Sequence, residues 1–318
     1  MSRHPFAVNG SALLLMKTGY YRRMKVRDVV DLVILSALWG ASFLFMRIAV
    51  PEFGPVALAC LRVAIASLVL LPVLALRSDI GELRVHWKKL ATVGTLNTAI
   101  PFILLPFATI YITGGFASIL NATAPQFAAI IAWVWLSAAL NVSRVIGLII
   151  GFGGVIVLVW NKVSPDMGGV SLAIIAAIVA SMFYGIGANY TKKYMQGISP
   201  LATATGSQLA ATLVLLPGAI ALWPDGPLSF RAWAAIITMG IFSTGLAYVI
   251  YFRLIANVGP TSAITVTYLV PGFAVFWGAM ILDEALTPNM VIGCAVILLG
   301  TALATGLMSF RRDVTINR

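Results

Sequence analysis

Apolar residues run through this chain in blocks of about twenty, separated by short clusters of proline, glycine and charge. A transmembrane helix needs about 20 mainly apolar residues. That ruler predicts ten of them: Val29–Val50, Pro55–Leu76, Leu90–Ile112, Gly115–Leu136, Val142–Trp160, Val170–Tyr190, Pro200–Trp223, Ala232–Ile255, Thr261–Leu282 and Met290–Met308. The gaps hold Pro51, Gly54, Pro165, Gly168, Pro224, Gly226, Gly259, Pro260 and Pro288, residues that end helices or turn the chain. No gap is long enough for a soluble domain. The third and fourth blocks almost touch at Thr113-Gly114-Gly115, where a single long kinked helix is the competing expectation.

Composition agrees with lipid as the solvent. The 318 residues are 60% apolar and 10% charged, with a mean hydropathy of +0.99. Soluble domains carry about 25% charge. The net charge of +11 is not a nucleic-acid signature, because its distribution follows the loops. All but four of the 21 basic residues fall in the tails and the even-numbered loops; Arg47, Lys162 and Arg231 lie on the opposite side and Arg62 within a span. Both termini are therefore expected to be cytoplasmic in a multi-pass inner-membrane protein. Residues 1–28 read as a basic cytoplasmic tail and 309–318 as a second one, with Met16 and Met24 as alternative start codons.

The chain also repeats itself. Ala66-Ser67-Leu68-Val69-Leu70-Leu71-Pro72 returns as Ala211-Thr212-Leu213-Val214-Leu215-Leu216-Pro217, an offset of 145. The same offset pairs Gly40 with Gly185, Trp39 with Tyr184 and Pro55 with Pro200; an offset of 146 pairs Pro125 with Pro271, Gly147 with Gly293 and Gly154 with Gly300. Repeat 1 spans 29–160 and repeat 2 spans 169–308, each with five helices. An odd number turns the second half upside down relative to the first. The fold expected is an all-α integral membrane protein: ten transmembrane helices in two inverted five-helix repeats around a central cavity. Such repeats place substrate near the midplane, at their interface, in secondary transporters.

Candidate chemistry is sparse within the spans. Arg62 sits about eight residues into the second span, roughly 12 Å along the helix. A central arginine is costly to insert, about 2.5–3.5 kcal/mol. With no carboxylate at its depth, it must meet carbonyls, water or an anionic ligand. Snorkelling to brace helix ends is the competing role. Helix-embedded polar groups form the second set: Asn97, Asn121, Gln126, Asn189, Gln208, Thr244, Tyr248, Thr265 and Tyr268. They face protein or a wet cavity, and interhelical hydrogen bonding is their simpler role. Asn121 and Gln126 flank Pro125, and Thr265 and Tyr268 precede Pro271, so repeat-related proline kinks mark these as cavity candidates. Trp39 and Tyr184 are candidate aromatic walls. Gly147, Gly151, Gly293 and Gly300 predict close packing of the fifth and tenth spans on each other or on a second copy.

The two cysteines, Cys60 and Cys294, lie in apolar runs and suggest packing rather than a disulfide. The two histidines, His4 and His86, lie in a tail and a loop, which disfavours a metal centre or an intramembrane Ser–His dyad. No phosphate-binding loop is present, and no carboxylate sits mid-span for a proton relay. No enzyme activity, metal or cofactor is expected.

Leu38-Trp39-Gly40-Ala41-Ser42-Phe43, Leu61-Arg62, Pro125, Tyr268-Leu269-Val270-Pro271, Asp283-Glu284-Ala285-Leu286-Thr287, Gly293 and Gly300 together resemble the EamA-type transporters of the drug/metabolite transporter superfamily. The resemblance runs from about Asp31 to Met308 as two tandem repeats. Ala138 stands in the first half where Glu284 stands in the second, so the acidic turn occurs once. The resemblance implies export of small metabolites, such as amino acids, across the cytoplasmic membrane by alternating access. An exchanger of nucleotide-linked sugars and a channel-like protein are the alternatives. The partners expected are a small-molecule substrate and the lipid bilayer, with no nucleic acid, in a monomer or homodimer.

Overall fold

The computed structural model describes residues 25–77, 80–160, 168–258, 263 and 265–308. The expected tails lie outside these, apart from 25–28, which lead into the first helix. The start-codon alternatives and residues 261, 262 and 264 of the ninth block also lie outside them.

The described elements are helices. They are α1 (Val26–Leu76), α2 (Ile80–Val85), α3 (Trp87–Tyr111), α4 (Gly114–Leu136), α5 (Val142–Val159), α6 (Gly169–Tyr194), α7 (Pro200–Ala221), α8 (Phe230–Val258), α9 (Val266–Leu282) and α10 (Pro288–Thr305). At 51 residues, α1 as one straight rod would be about 76 Å long, more than twice a bilayer's hydrocarbon core of about 30 Å. It is two spans. Gly54 breaks the run with φ +69° and ψ 166°, Pro51 and Pro55 flank it, and the two limbs are the first and second predicted spans. With α3 to α10 as single spans, the chain crosses ten times. The third and fourth blocks are separate helices, because Ile112 is extended (φ −125°, ψ 156°) and Thr113 caps α4 by accepting from Phe116 N.

Local chemistry sets the other boundaries. Asn141, Ser199, Ser229 and Thr287 each accept from the backbone N–H three residues on, at the starts of α5, α7, α8 and α10. Ser137 ends α4 and Asp283 ends α9 in the same left-handed conformation, φ 53° and 52°. These two residues are 146 apart, the repeat offset.

The same correspondence runs through the packing. Ser36 Oγ donates to Leu32 O and lies 3.5 Å from Val266 O, while Ser181 Oγ donates to Ala177 O and lies 3.3 Å from Leu120 O. Gly40 lies against Phe273 and Ala274; its counterpart Gly185 lies against Phe127 and Ala128. Gly147 meets Gly300, Leu303 and Ala304, and Gly293 meets Gly154 and Leu158. The glycine faces of α5 and α10 are thus spent on each other within one chain. The first limb of α1 packs on α9 as α6 packs on α4, which is what two inverted copies of one five-helix unit require.

Ion pairs sit at the ends of the bundle. Glu284 accepts from Gly114 N at 3.1 Å, so its carboxylate sits at the positive N-terminus of α4. Arg47 Nε lies 3.6 Å from the same oxygen, and its Nη1 donates to Thr109 O and Ile110 O. At the opposite end Arg253 pairs with Asp31, and Asn257 Nδ2 donates to Asp28.

Two helices depart from α geometry, at matching places. Thr95–Ala99 in α3 and Met239–Leu246 in α8 are π-helical. At the 146 offset, Thr95–Ala99 corresponds to 241–245, inside the second segment. π segments are rare and concentrate at functional sites.

Candidate functional site: a central cavity with a buried arginine in its wall

A cavity of about 330 Å³ lies between the repeats. The first limb of α1 gives it Trp39, Ser42, Phe43 and Met46; the second limb gives Arg62. α3 gives Asn97, Phe102 and Leu105, α4 gives Ser118, Asn121 and Pro125, and α6 gives Tyr184. Ser243, Thr244, Tyr248 and Tyr251 come from α8, and Val266, Val270 and Pro271 from α9. Both π segments reach the wall, α3 through Asn97 and α8 through Ser243 and Thr244.

Arg62 is the charged group in this wall, and only 6% of it is exposed. Its Nε donates to Thr244 Oγ1 at 2.9 Å, and its Cζ stands 3.9 Å from the centre of the Phe102 ring. Stacking of this kind contributes about 0.5–2 kcal/mol. It does not neutralise the charge. The carboxylates in described ion pairs, Asp31 and Glu284, are held at the bundle ends by Arg253 and Arg47. The two Nη groups of Arg62 make no hydrogen bond among the described residues. Among the described residues, Thr244 supplies a hydroxyl on one edge of this guanidinium and Phe102 an aromatic face, and the Nη edge has no hydrogen-bond partner.

Unpartnered polar atoms collect in the same wall. Ser118 Oγ, Asn121 Oδ1 and Ser243 Oγ are buried without a hydrogen-bond partner among the described residues. Buried polar groups left alone cost roughly 1–3 kcal/mol each, so these atoms suit water or a polar ligand. Aromatic rings fill the remaining wall: Trp39 packs on Tyr251 with ring centres 5.3 Å apart, and Tyr248 stacks on Phe252 at 5.9 Å.

Of the sequence candidates, Arg62, Trp39, Asn97, Asn121, Tyr184, Thr244 and Tyr248 converge on the cavity, with Pro125 and Pro271 beside them. Three do not. Gln126 is fully buried on the far side of α4, where its Nε2 donates to Thr301 Oγ1 at 2.9 Å and its amide packs on Gly151. Tyr268 hydroxyl meets Thr305 Oγ1 at 3.1 Å, binding α9 to α10. Thr265 precedes α9 and is not among the lining residues. Nor are the two prolines equivalent. Pro125 follows a true break, α4 losing helical form at 122–123, whereas Pro271 lies within uninterrupted helix. Asn189 Nδ2 donates to Ala128 O across to α4 and to Gly185 O on its own helix, and lies outside the lining, as does the fully buried Gln208.

Phe102, Ser118, Ser243 and Tyr251 were not singled out by sequence. Only Ser118 carried a signal, standing three residues before Asn121 on the same helix face. Among the described residues no group of three His, Cys, Asp or Glu side chains is placed to hold a metal ion.

This architecture has known counterparts. A transporter of Archaeoglobus fulgidus described only as uncharacterized is 26% identical over 281 residues, covering 85% of this chain and 96% of its own. A probable terminal-alkyne amino-acid exporter of Streptantibioticus cattleyicolor is 23% identical over 290 residues, covering 88% and 94%. A solved crystal structure superposes with a TM-score of 0.64 at 18% identity, covering 89% of this chain and 98% of that one, and shows the shared fold. The EamA-like transporter family model matches residues 29–160 and again 171–306. With two copies of that unit across most of its length, the chain belongs to the EamA-like transporter family.

Proposed function

We propose that the protein is a secondary transporter that exports small carboxylate-bearing metabolites, amino acids foremost, across the cytoplasmic membrane by alternating access. Both termini face the cytoplasm in this reading, following the basic loops. The observation that carries it is Arg62: a buried guanidinium in the wall of a membrane cavity, whose two Nη groups have no hydrogen-bond or acidic partner among the described residues. A carboxylate fits that fork in a bidentate way. The cavity volume, near the low end of the roughly 300–1,000 Å³ range for small-molecule sites, favours a compact substrate over a nucleotide-linked sugar. The relative named as a probable amino-acid exporter supports the same class.

Inverted repeats give alternating access a physical basis, since exchanging the conformations of two similar halves exchanges the side to which the cavity opens. The test compares metabolite efflux from cells with and without the protein, followed by counterflow in proteoliposomes. The expected result is release of a carboxylate metabolite, trans-stimulated by unlabelled substrate, and a loss of at least tenfold in Arg62→Gln. Flux without trans-stimulation would identify a channel. Full transport by Arg62→Gln at normal protein level would remove Arg62 from the site.

A further inference from the structure

We infer that Thr244 is a positioning residue that ties the orientation of Arg62 to the π-helical register of α8. The part of this that concerns ligand charge rests on the transport reading above. The hydrogen-bond arrangement does not.

A hydroxyl has one proton to give. Arg62 Nε can only donate, so Thr244 Oγ1 accepts at 2.9 Å, and its own proton is free for Met239 O at 3.2 Å. Met239 is five residues back. Helical hydroxyls ordinarily bond back three or four residues, as Ser67 does to Val63 O and Thr205 to Leu201 O. The wider turn of Met239–Leu246 is what brings the fifth carbonyl into place.

This fixes the guanidinium on two sides. One edge is held by Thr244 and one face by Phe102. The remaining edge, the Nη pair, is the planar fork suited to a carboxylate. Return of Met239–Leu246 to α geometry would rotate the chain near Thr244 by up to about 100° for one residue of register, carrying the hydroxyl away from Nε. An anion that needs Arg62 in this orientation therefore favours the π register of α8.

The tie is one-sided. Thr98 matches Thr244 at the 146 offset and also lies in a π segment, yet its buried hydroxyl has no partner among the described residues. Ser207 stands where the repeat would place a second Arg62, and its hydroxyl bonds Ala204 O instead. Ligand charge thus acts on the π segment of α8 and not on its counterpart in α3.

The test uses the full chain in lipid nanodiscs, with Thr244→Val removing the hydroxyl at constant shape and Thr244→Ser restoring it. Thr244→Ala serves if the valine variant does not fold. The first readout is the Nε–H resonance of Arg62 in protein labelled with ¹⁵N-arginine, assigned by its loss in Arg62→Lys. We expect slow exchange with solvent in the wild type and Thr244→Ser, and exchange faster by about tenfold or more in Thr244→Val. Equal exchange in the wild type and Thr244→Val overturns the inference, whatever is transported. The second readout is proteoliposome transport of an equimolar mixture of the twenty amino acids. For any that moves, Thr244→Val raises KM about tenfold at unchanged maximal rate, and Thr244→Ser restores it. A fall in maximal rate with KM unchanged, or failure of serine to rescue, also overturns it. Loss of the slow resonance in a protein that moves no amino acid supports the positioning role while refuting the proposed substrate class.

Discussion

The paired glycine contacts of the two repeats offer a quantitative check on the fold. A methyl group at Gly40 would sit 2.6 Å from Phe273 Cβ and 2.9 Å from Ala274 N; at Gly185 it would sit 2.7 Å from Ala128 N and 2.9 Å from the Phe127 carbonyl carbon. Ordinary contacts lie at 3.4–4 Å. Each clash involves main-chain atoms of the facing helix, so no side-chain rotation relieves it and the helices must part. Overpacking of this sort costs about 1–3 kcal/mol. Glycine to alanine inside a helix also brings a favourable term, up to about 1 kcal/mol in water, which would mask part of the loss. Gly272→Ala supplies that term alone, because nothing lies within 4 Å of its new methyl. The packing cost is therefore the difference between variants. Thermal unfolding in detergent, followed by loss of the monodisperse size-exclusion peak, should place Gly40→Ala and Gly185→Ala several degrees below Gly272→Ala, and close to each other. Either variant matching Gly272→Ala would refute the close approach at that contact. A wide gap between the two would refute their equivalence.

Other consequences follow from charges at the ends of the bundle. Glu284→Gln removes the negative charge from the N-terminus of α4 and from Arg47; a loss of about 1–2 kcal/mol is expected, with a smaller one for Arg47→Met, whose side chain is one-third exposed. The same thermal assay reads both, and an unchanged Glu284→Gln would show that the cap contributes nothing. Glu52, in the turn between the limbs of α1, accepts from Ser229 Oγ and Ser229 N, which holds its carboxyl below the usual range. Its contribution is complete above the ordinary carboxylate value of about 4.3 and disappears as pH falls through the lowered folded value. Melting curves between neutral and acid pH should show a drop that Ser229→Ala reduces; identical pH profiles would remove this contact from the acid response.

The spans were legible because lipid leaves few alternatives: each crossing must be apolar and must satisfy its backbone internally. The inverted repeat was legible because Gly40 and Gly185, or Gly147 and Gly293, meet repeat-related neighbours whose close approach excludes larger side chains. Arg62 stood out against an interior otherwise poor in charge. Its surroundings did not, because Thr244 is 182 residues away and a phenylalanine within an apolar run, as at Phe102, carries no mark of its role. Gln126 misled because proximity to a proline says nothing about azimuth, and α4 resumes its helix at Ala124 with Gln126 directed toward α10. Neither π segment was foreseen, because no residue type distinguishes a π turn from an α turn in sequences as bland as Thr-Leu-Asn-Thr-Ala.

Those two π segments also bear on how far each half tolerates a change in length. A π turn is the form in which a helix absorbs one extra residue without passing the shift to everything beyond it. Thr95–Ala99 and Met239–Leu246 accommodate such a residue at corresponding points of the two halves. Deleting one residue from either segment would turn the helix beyond it by about 100°, so each half needs its wide turn to keep Asn97, or Ser243 and Thr244, in the cavity wall.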